Sequence, residues 1–345
     1  MKTIERLKAS VEELPPAYFA LVMATGIVSI ASHLMGFQAV AEILFRLNII
    51  FFICLLLLTM GRIIFFPYRF FSDMEDHGRA VGYLTIVAAT GIGGSQLIIL
   101  GKNVGAAVIL FAFSFILWLI LIYAIFTLLA VRSKKPTLRS GINGIWLISV
   151  VSTQSVSALS SMLVYHLPDY RQLMMFFSLL TFLMGSVLYI IIITLIFYRI
   201  MFFRLPLEEL RLTYWINMGA AAATTLAGTM IAANSHGSVL LERIFPFTIG
   251  FTLFFWAIAT WWIPLLLLLD IWRFFTRRGF SPYDPEEWGM VFPIGMYTVC
   301  TFQLSNIPGM ELVLYIPDIT IYAALAAWTL ACIGLLRSIK KLFVP

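Results

Sequence analysis

Long apolar segments recur along the whole chain and constrain its fold more than any other feature. Each approaches the roughly 20 residues that a helix needs to cross the hydrocarbon core of a bilayer. The chain is 61% hydrophobic and only 12% charged, too few charges to cover a water-exposed surface. We therefore predict an all-α integral membrane protein with ten transmembrane helices. The predicted spans are 17–36, 43–61, 80–100, 105–130, 142–163, 173–198, 212–233, 244–271, 286–305 and 313–336.

The basic residues divide unequally between the two sides of these spans. Nineteen Lys and Arg lie in the terminal segments and in the loops after even-numbered spans, and only four lie toward the other side of the membrane. Such a bias predicts that both termini face the cytoplasm, with the protein in the plasma (cell inner) membrane. The predicted organisation is a cytoplasmic segment at 1–16, a membrane domain at 17–336 and a cytoplasmic tail at 337–345. Because the basic charge serves topology, no nucleic-acid partner is expected, and the first span is expected to be retained rather than cleaved.

Odd-numbered and even-numbered spans differ in kind. Even spans are bulky, as in residues 108–126, whereas odd spans are rich in Gly, Ala, Ser and Thr, as in residues 219–229. Small residues allow close approach of helix backbones or a polar path, and bulky residues suit lipid contact. The alternation predicts five helical hairpins in a quasi-fivefold ring, with odd-numbered helices lining a central pore. The alternative is that the odd helices are only tightly packed central helices.

The odd spans share a way of starting. Examples are Glu12-Glu13-Leu14-Pro15-Pro16, Pro206-Leu207-Glu208-Glu209 and Asp284-Pro285-Glu286-Glu287. In the last of these, Asp284 is predicted to cap the helix, Pro285 suits the first turn, and the glutamates favour the positive end of the helix dipole.

The polar residues of the odd spans are neutral. Hydroxyl and amide groups can donate hydrogen bonds to an anion, and the carboxylates that would hold a cation do not occur in the span centres. A small anion is therefore the expected cargo, and neither a metal site nor a cofactor is expected. Catalytic residues are not expected either. The pore-lining candidates are Thr25, Gly26, Ser29, Gln96, Thr153, Gln154, Thr224, Thr225, Gly295 and Gln303.

The ninth span contains a proline directly after a phenylalanine, Phe292-Pro293. A proline inside a helix removes one backbone hydrogen bond and favours a kink. A kink here could aim Phe292 across the pathway as a hydrophobic plug, so that both residues would form a gate. The alternative is that Phe292 is an ordinary packing residue.

These motifs resemble the tellurite-resistance/dicarboxylate transporter family, which includes yeast malate permease and plant slow-type anion channels. The resemblance rests on residues 16–19 with 24–29 (PAYF and ATGIVS), on residues 214–219 (YWINMG), and on Trp288 with Phe292-Pro293. It implies five hairpins around a central pore, a homotrimer, and a phenylalanine gate that falls on Phe292. The first span is more similar to the malate-permease and bacterial dicarboxylate branch.

The predicted function is transport of small anions through a central pore gated by a phenylalanine. The first expected substrate is a dicarboxylate of the malate or succinate type, because the family branch favours a secondary transporter of such molecules. The alternative is a passive channel for monovalent anions such as chloride or nitrate, which the absence of a titratable group in the centres of the inner spans favours. Export of tellurite- or sulfite-type oxyanions, a membrane enzyme and a structural membrane protein are the remaining alternatives.

Overall fold

The computed structural model describes residues 8–204, 206, 212–235, 238–277 and 283–343. Ten long helices in this part of the chain form five hairpins. The hairpins are α1 (Ala20–Leu34) with α2 (Gln38–Phe65), α3 (Thr85–Ile99) with α4 (Val104–Val131), α5 (Ile148–Leu163) with α6 (Arg171–Phe202), α7 (Ile216–Ala233) with α8 (Val239–Arg277), and α9 (Trp288–Ser305) with α10 (Tyr315–Phe343).

Nine of the described helices are long and apolar enough to cross a membrane by length and composition. The remaining long helix is α9, whose 18 residues include Pro293, Gln303 and two glycines. It takes the ninth place in the sequence of hairpins and packs against α1, α7 and α10. The prediction of an all-α integral membrane protein is therefore confirmed.

The odd-numbered helices form a closed inner ring. Each one contacts the next odd helix along the chain, and α9 returns to contact α1. In the apolar part of each span, 67–83% of the residues of α1, α3, α5 and α7 are buried, against 17–44% in the even helices. The small residues of the odd helices permit this close approach on several sides at once.

The even-numbered helices form the outer ring. They contain 28 to 39 residues and expose large apolar side chains that suit the acyl chains of lipids. The predicted spans underestimate them: the eighth span, predicted at 244–271, forms the helix Val239–Arg277 with Pro246 and Pro264 inside it. The polar residues that flank the apolar run continue the helix, so the end of the apolar run does not mark the end of the helix.

Each inner helix starts with a short 3₁₀ turn. The five turns are Pro16–Phe19, Ala80–Leu84, Gly144–Leu147, Leu212–Trp215 and Pro285–Glu287. Asp284 caps the last one, since its carboxylate accepts a hydrogen bond from the Glu286 amide (2.9 Å). In turn, the Asp284 amide donates a hydrogen bond to the Glu287 carboxylate. This predicted cap is confirmed. The predicted start at Leu207, Glu208 and Glu209 lies outside the described residues.

Each inner helix accepts a hydrogen bond from a side chain of the even helix that precedes it around the ring. The bonds are Trp328 to Thr25 (3.0 Å), Asn48 to Gln96 (2.6 Å), Trp118 to Thr153 (2.9 Å), Tyr189 to the Asn217 carbonyl (3.1 Å) and Trp256 to Thr301 (3.0 Å). Bonds of this kind within a membrane contribute about 0.6 kcal/mol each on average, so they set helix orientation more than stability.

Candidate functional site

Two cavities lie inside the inner ring. We call the face at which the odd helices begin the basic face, because most Lys and Arg lie there. The wide cavity, of about 590 Å³, lies at this face and is lined by the starts of all five odd helices. The narrow cavity, of about 180 Å³, lies between the second halves of the same helices. Together they mark a path through the ring.

Three layers, each with one residue from every odd helix, line the narrow cavity. Successive layers are separated by three or four residues along each helix, which keeps one face of the helix toward the path. The layers are Ile27, Ile92, Ser155, Ala223 and Met296; then Ile30, Ser95, Ala158, Leu226 and Val299; then Leu34, Ile99, Met162, Met230 and Gln303. Among the described residues, Gly91 and Gln154 complete the lining beside these fifteen.

The same register continues into the wide cavity. One layer of that cavity consists of Ala20, Thr85, Ile148, Ile216 and Gly289. Between this layer and the narrow cavity lies a further set, which we call the barrier layer. It comprises Met23, Ala88, Val151, Gly219 and Phe292. Phe292 and Met23 form part of the wall of the wide cavity, and each is only 1% exposed.

The backbone gives the wide cavity a positive potential. Five helix N-termini converge on it, and each carries a partial positive charge from unpaired amide groups. The described 3₁₀ turns before α1, α3, α5 and α7 contain no acidic residue in their first turns. Only the turn before α9 has acidic residues there, Glu286 and Glu287. In the described part of the chain, four of the five positive ends therefore have no carboxylate within their own first turn.

Two arginines also line the wide cavity. Arg79 is 47% exposed and pairs with Asp73 (3.1 Å), whose other oxygen pairs with the buried Arg62 (2.6 Å). Arg199 is buried; its guanidinium donates to the Arg139 carbonyl (2.6 Å) and to the Tyr214 hydroxyl. Because guanidinium stays charged at all physiological pH values, both residues add to the attraction for anions at this face.

His77 lies at the rim of the wide cavity, next to the lining residue Gly78. Its backbone carbonyl accepts a hydrogen bond from the indole of Trp146 (2.9 Å). Partial burial and the nearby Arg132 and Lys135 lower the pKa of His77, against an opposing effect of Asp76. The imidazole is therefore neutral at neutral pH.

Three of the residues that the sequence singled out line a cavity. Phe292 lines the wide cavity, and Gln154 and Gln303 line the narrow one. The side-chain amide of Gln154 also donates to the Phe182 carbonyl on α6 (3.1 Å).

The predicted hydroxyl-bearing residues lie on other faces of their helices. Thr25 and Thr153 accept bonds from tryptophans of the outer ring, and Ser29 donates to the Ala41 carbonyl (2.8 Å). Thr224 and Thr225 donate to carbonyls of their own helix. These groups pair within the protein because an unpaired hydroxyl in a membrane interior is costly.

The remaining predicted residues lie at contacts between helices. A Cβ on Gly26 would come within 2.7 Å of Ile92 and 2.8 Å of Asn48, and one on Gly295 within 2.9 Å of Ile27. Gln96 accepts the bond from Asn48 on α2. Pro293 packs on Gly219, whose added Cβ would approach its ring to 2.7 Å.

The narrow cavity is lined mainly by apolar side chains that the sequence did not single out. Most of the fifteen layer residues are Ile, Leu, Met, Val or Ala. Steps of three and four residues occur on every face of a helix, so they do not by themselves show which face lines the path.

Comparison with known proteins identifies the class of membrane protein that this ring defines. Residues 13–336 match the family described as voltage-dependent anion channel, so the chain belongs to that family. The resemblance to the tellurite-resistance/dicarboxylate transporter group is thereby confirmed.

Individual relatives agree with this assignment. An uncharacterized transporter of Methanocaldococcus jannaschii is 23% identical over 98% of this chain and 97% of its own length. A second uncharacterized transporter of that organism is 24% identical over 89% of this chain and 88% of its own length. An uncharacterized membrane protein of Mycobacterium tuberculosis is 31% identical over 44% of this chain and 76% of its own length.

Family and fold together define a multi-pass membrane protein for anion transport, a channel or transporter rather than an enzyme. Among the described residues, no group of three or more His, Cys, Asp or Glu could hold a metal ion.

Proposed function

We propose that this protein conducts small, singly charged anions passively through the central path of its inner ring. The observation that carries the proposal is the pair of cavities in one continuous register of five-residue layers. The wide cavity concentrates anions through its helix N-termini and through Arg79 and Arg199. The narrow cavity then gives them a short apolar passage.

The apolar lining of the narrow cavity favours the passage of singly charged anions over doubly charged ones. No charged side chain lines it in the described part of the chain. The cost of moving an ion from water into an apolar region grows with the square of its charge, so a dianion faces about four times the penalty of a monoanion. A site built for a dicarboxylate would need a fixed cation to offset this cost.

Transport of dicarboxylates of the malate or succinate type is the second candidate. Two observations favour it: the first span is similar to the malate-permease branch, and the wide cavity of about 590 Å³ has room for such a molecule. Coupling to protons would require a titrating group on the path, and Arg79, Arg199, Asp284 and Glu286 at the wide cavity are the charged groups that line it.

Flux from liposomes of defined internal anion separates the two candidates. We expect nitrate and chloride to pass and malate at neutral pH to be retained, with no dependence on a pH gradient. Malate uptake driven by a pH gradient, without a chloride current, would overturn the channel proposal in favour of the transporter.

Phe292 is proposed as the gate of this path. It is the largest residue of the barrier layer and is almost fully buried, and Pro293 holds its backbone against Gly219 of α7. Replacing the aromatic ring by a methyl group would leave an opening between the cavities.

We expect Phe292→Ala to raise anion conductance by at least about tenfold, which corresponds to a barrier change of about 1.4 kcal/mol. The matched control is Phe302→Ala on the same helix, because Phe302 lines neither cavity. Single-channel or liposome flux recordings measure the effect. Unchanged conductance in a well-folded Phe292→Ala protein would reject the gate.

Location and assembly are proposed as well. The bias of Lys and Arg toward the basic face supports cytoplasmic termini in the plasma (cell inner) membrane, which cysteine-labelling from either side of intact cells would test. The family resemblance supports a homotrimer, which native mass spectrometry of the detergent-solubilised protein would test.

A further inference from the structure

We propose that Met23 forms the barrier together with Phe292, so that two neighbouring inner helices carry the constriction. The inference rests on the proposed pore and adds a residue of α1 to the gate on α9. Its starting point is the unequal composition of the barrier layer.

The barrier layer has bulk on one side only. Met23 and Phe292 are each 1% exposed and form part of the wall of the wide cavity. Ala88, Val151 and Gly219 complete the layer and line neither of the two cavities. Space between the cavities is therefore filled chiefly by one thioether side chain and one aromatic ring.

The packing of α9 on α1 brings Met23 and Phe292 to the same level. One turn beyond them, a Cβ on Gly295 would lie 2.9 Å from Ile27 and 3.1 Å from Val28. Gly295 lies three residues after Phe292, and Ile27 lies four residues after Met23. Because the two helices run in parallel and touch at this point, the residues one turn earlier are neighbours too.

Both side chains have room to move toward the wide cavity. Long side chains on helices lean toward the helix N-terminus, which here is the direction of the wide cavity. On that side lies the wide cavity of about 590 Å³, whose wall includes both side chains. An unbranched methionine can adopt several conformations at low cost, so Met23 can leave the path when Phe292 turns.

This arrangement predicts how two truncations combine. Phe292→Ala alone leaves the thioether in the layer, and Met23→Ala alone leaves the aromatic ring. We expect Met23→Ala to raise anion conductance severalfold and the double variant to conduct more than Phe292→Ala. The matched control is Met218→Ala, which removes the same side chain from a buried position on α7 that lines neither cavity and should leave conductance near that of wild type.

A chemical restoration separates constriction from misfolding. Met23→Cys should also raise conductance, and methyl methanethiosulfonate then transfers a methylthio group to the thiolate with release of methanesulfinate. The resulting side chain is as long as methionine, so conductance should fall back toward the wild-type value. Wild-type protein, with Cys54, Cys300 and Cys332, receives the same treatment as the control and should not change.

The outcomes divide cleanly. If Phe292→Ala conducts more but the folded Met23→Ala and Met23→Cys proteins conduct like wild type, Met23 is not part of the barrier and the pore proposal stands. If conductance rises in Met218→Ala as much as in Met23→Ala, the effect is not specific to the barrier layer and the inference fails. If neither Phe292→Ala nor Met23→Ala changes conductance, the gate itself is wrong.

Discussion

The wide and narrow cavities are formed by the same five helices, yet they differ in chemistry. The wide cavity collects helix N-termini, arginines and acidic residues, whereas the narrow cavity is lined almost wholly by apolar side chains. A helix begins with unpaired amide groups and continues with paired ones. Five parallel helices therefore concentrate anions at one end of the path and leave apolar side chains to line the rest.

The difference suggests a division of tasks. In the proposed pathway, the wide cavity would raise the local concentration of anions without binding them tightly, since Arg79 is half-exposed and pairs with Asp73. The narrow cavity, with the barrier layer before it, provides the resistance. Each of the following substitutions changes the charge of one of the two cavities.

The largest effect is expected from a negative charge in the narrow cavity. Ser95 lines its middle layer, and Ser95→Asp would place a carboxylate within a few ångströms of any passing anion. A like charge about 4 Å away costs roughly 4 kcal/mol at an effective dielectric constant of 20. We expect the anion current to fall by more than about tenfold at neutral pH.

The control for this substitution is Ser95→Asn, because an asparagine side chain has nearly the same shape as aspartate but no charge. It should fold and conduct much as wild type. Equal currents in the Asp and Asn variants would mean that anions do not pass through the narrow cavity.

A smaller effect is expected at the wide cavity. Arg79→Gln removes an exposed positive charge from its wall, and we expect the current to fall about two- to threefold at low ionic strength and little at high salt. Arg69→Gln is the control, because Arg69 lies on the same face, pairs with Glu12 (3.1 Å) and does not line the wide cavity.

Conductance measured over a range of salt concentrations checks this prediction. A reduction that persists unchanged in high salt would point to a structural role for Arg79 instead of an electrostatic one.

The smallest effect concerns pH at the basic face. Partial burial and the nearby Arg132 and Lys135 hold the pKa of His77 below its usual value, so the imidazole is neutral at neutral pH and gains its positive charge on acidification. Acidification of this face should then raise the anion current modestly, and His77→Gln should remove that rise. His166→Gln, in an exposed loop on the opposite face, should keep it; a rise that survives in His77→Gln would assign the pH response to another group.

The membrane fold could be predicted from the sequence because it depends on properties of each segment taken alone. A run of about 20 apolar residues spans a bilayer wherever it occurs, and the alternation of bulky and small spans already separates the outer ring from the inner one. The cap at Asp284 followed from residue types within one helical turn.

The lining of the path was harder to predict. Thr25, Thr153 and Gln96 look like polar lining in the sequence, but tryptophan and asparagine side chains of the outer ring donate hydrogen bonds to their side-chain oxygens. Gly26 and Gly295 look like openings, and each is filled by a neighbouring inner helix. Which face of a helix points to the axis depends on the partners around it, and those partners are distant in the chain.

The sequence by itself determined the hairpins, the two rings and the concentration of basic residues at one face, because hydrophobic length and charge act locally on each segment. Only the tertiary structure decided which residues form the path. Closing the ring brings together residues from five hairpins into layers, and it turns each helix so that its polar groups pair with neighbours rather than face an apolar interior. Met23 and Phe292 meet in one layer for that reason, although most of the chain lies between them.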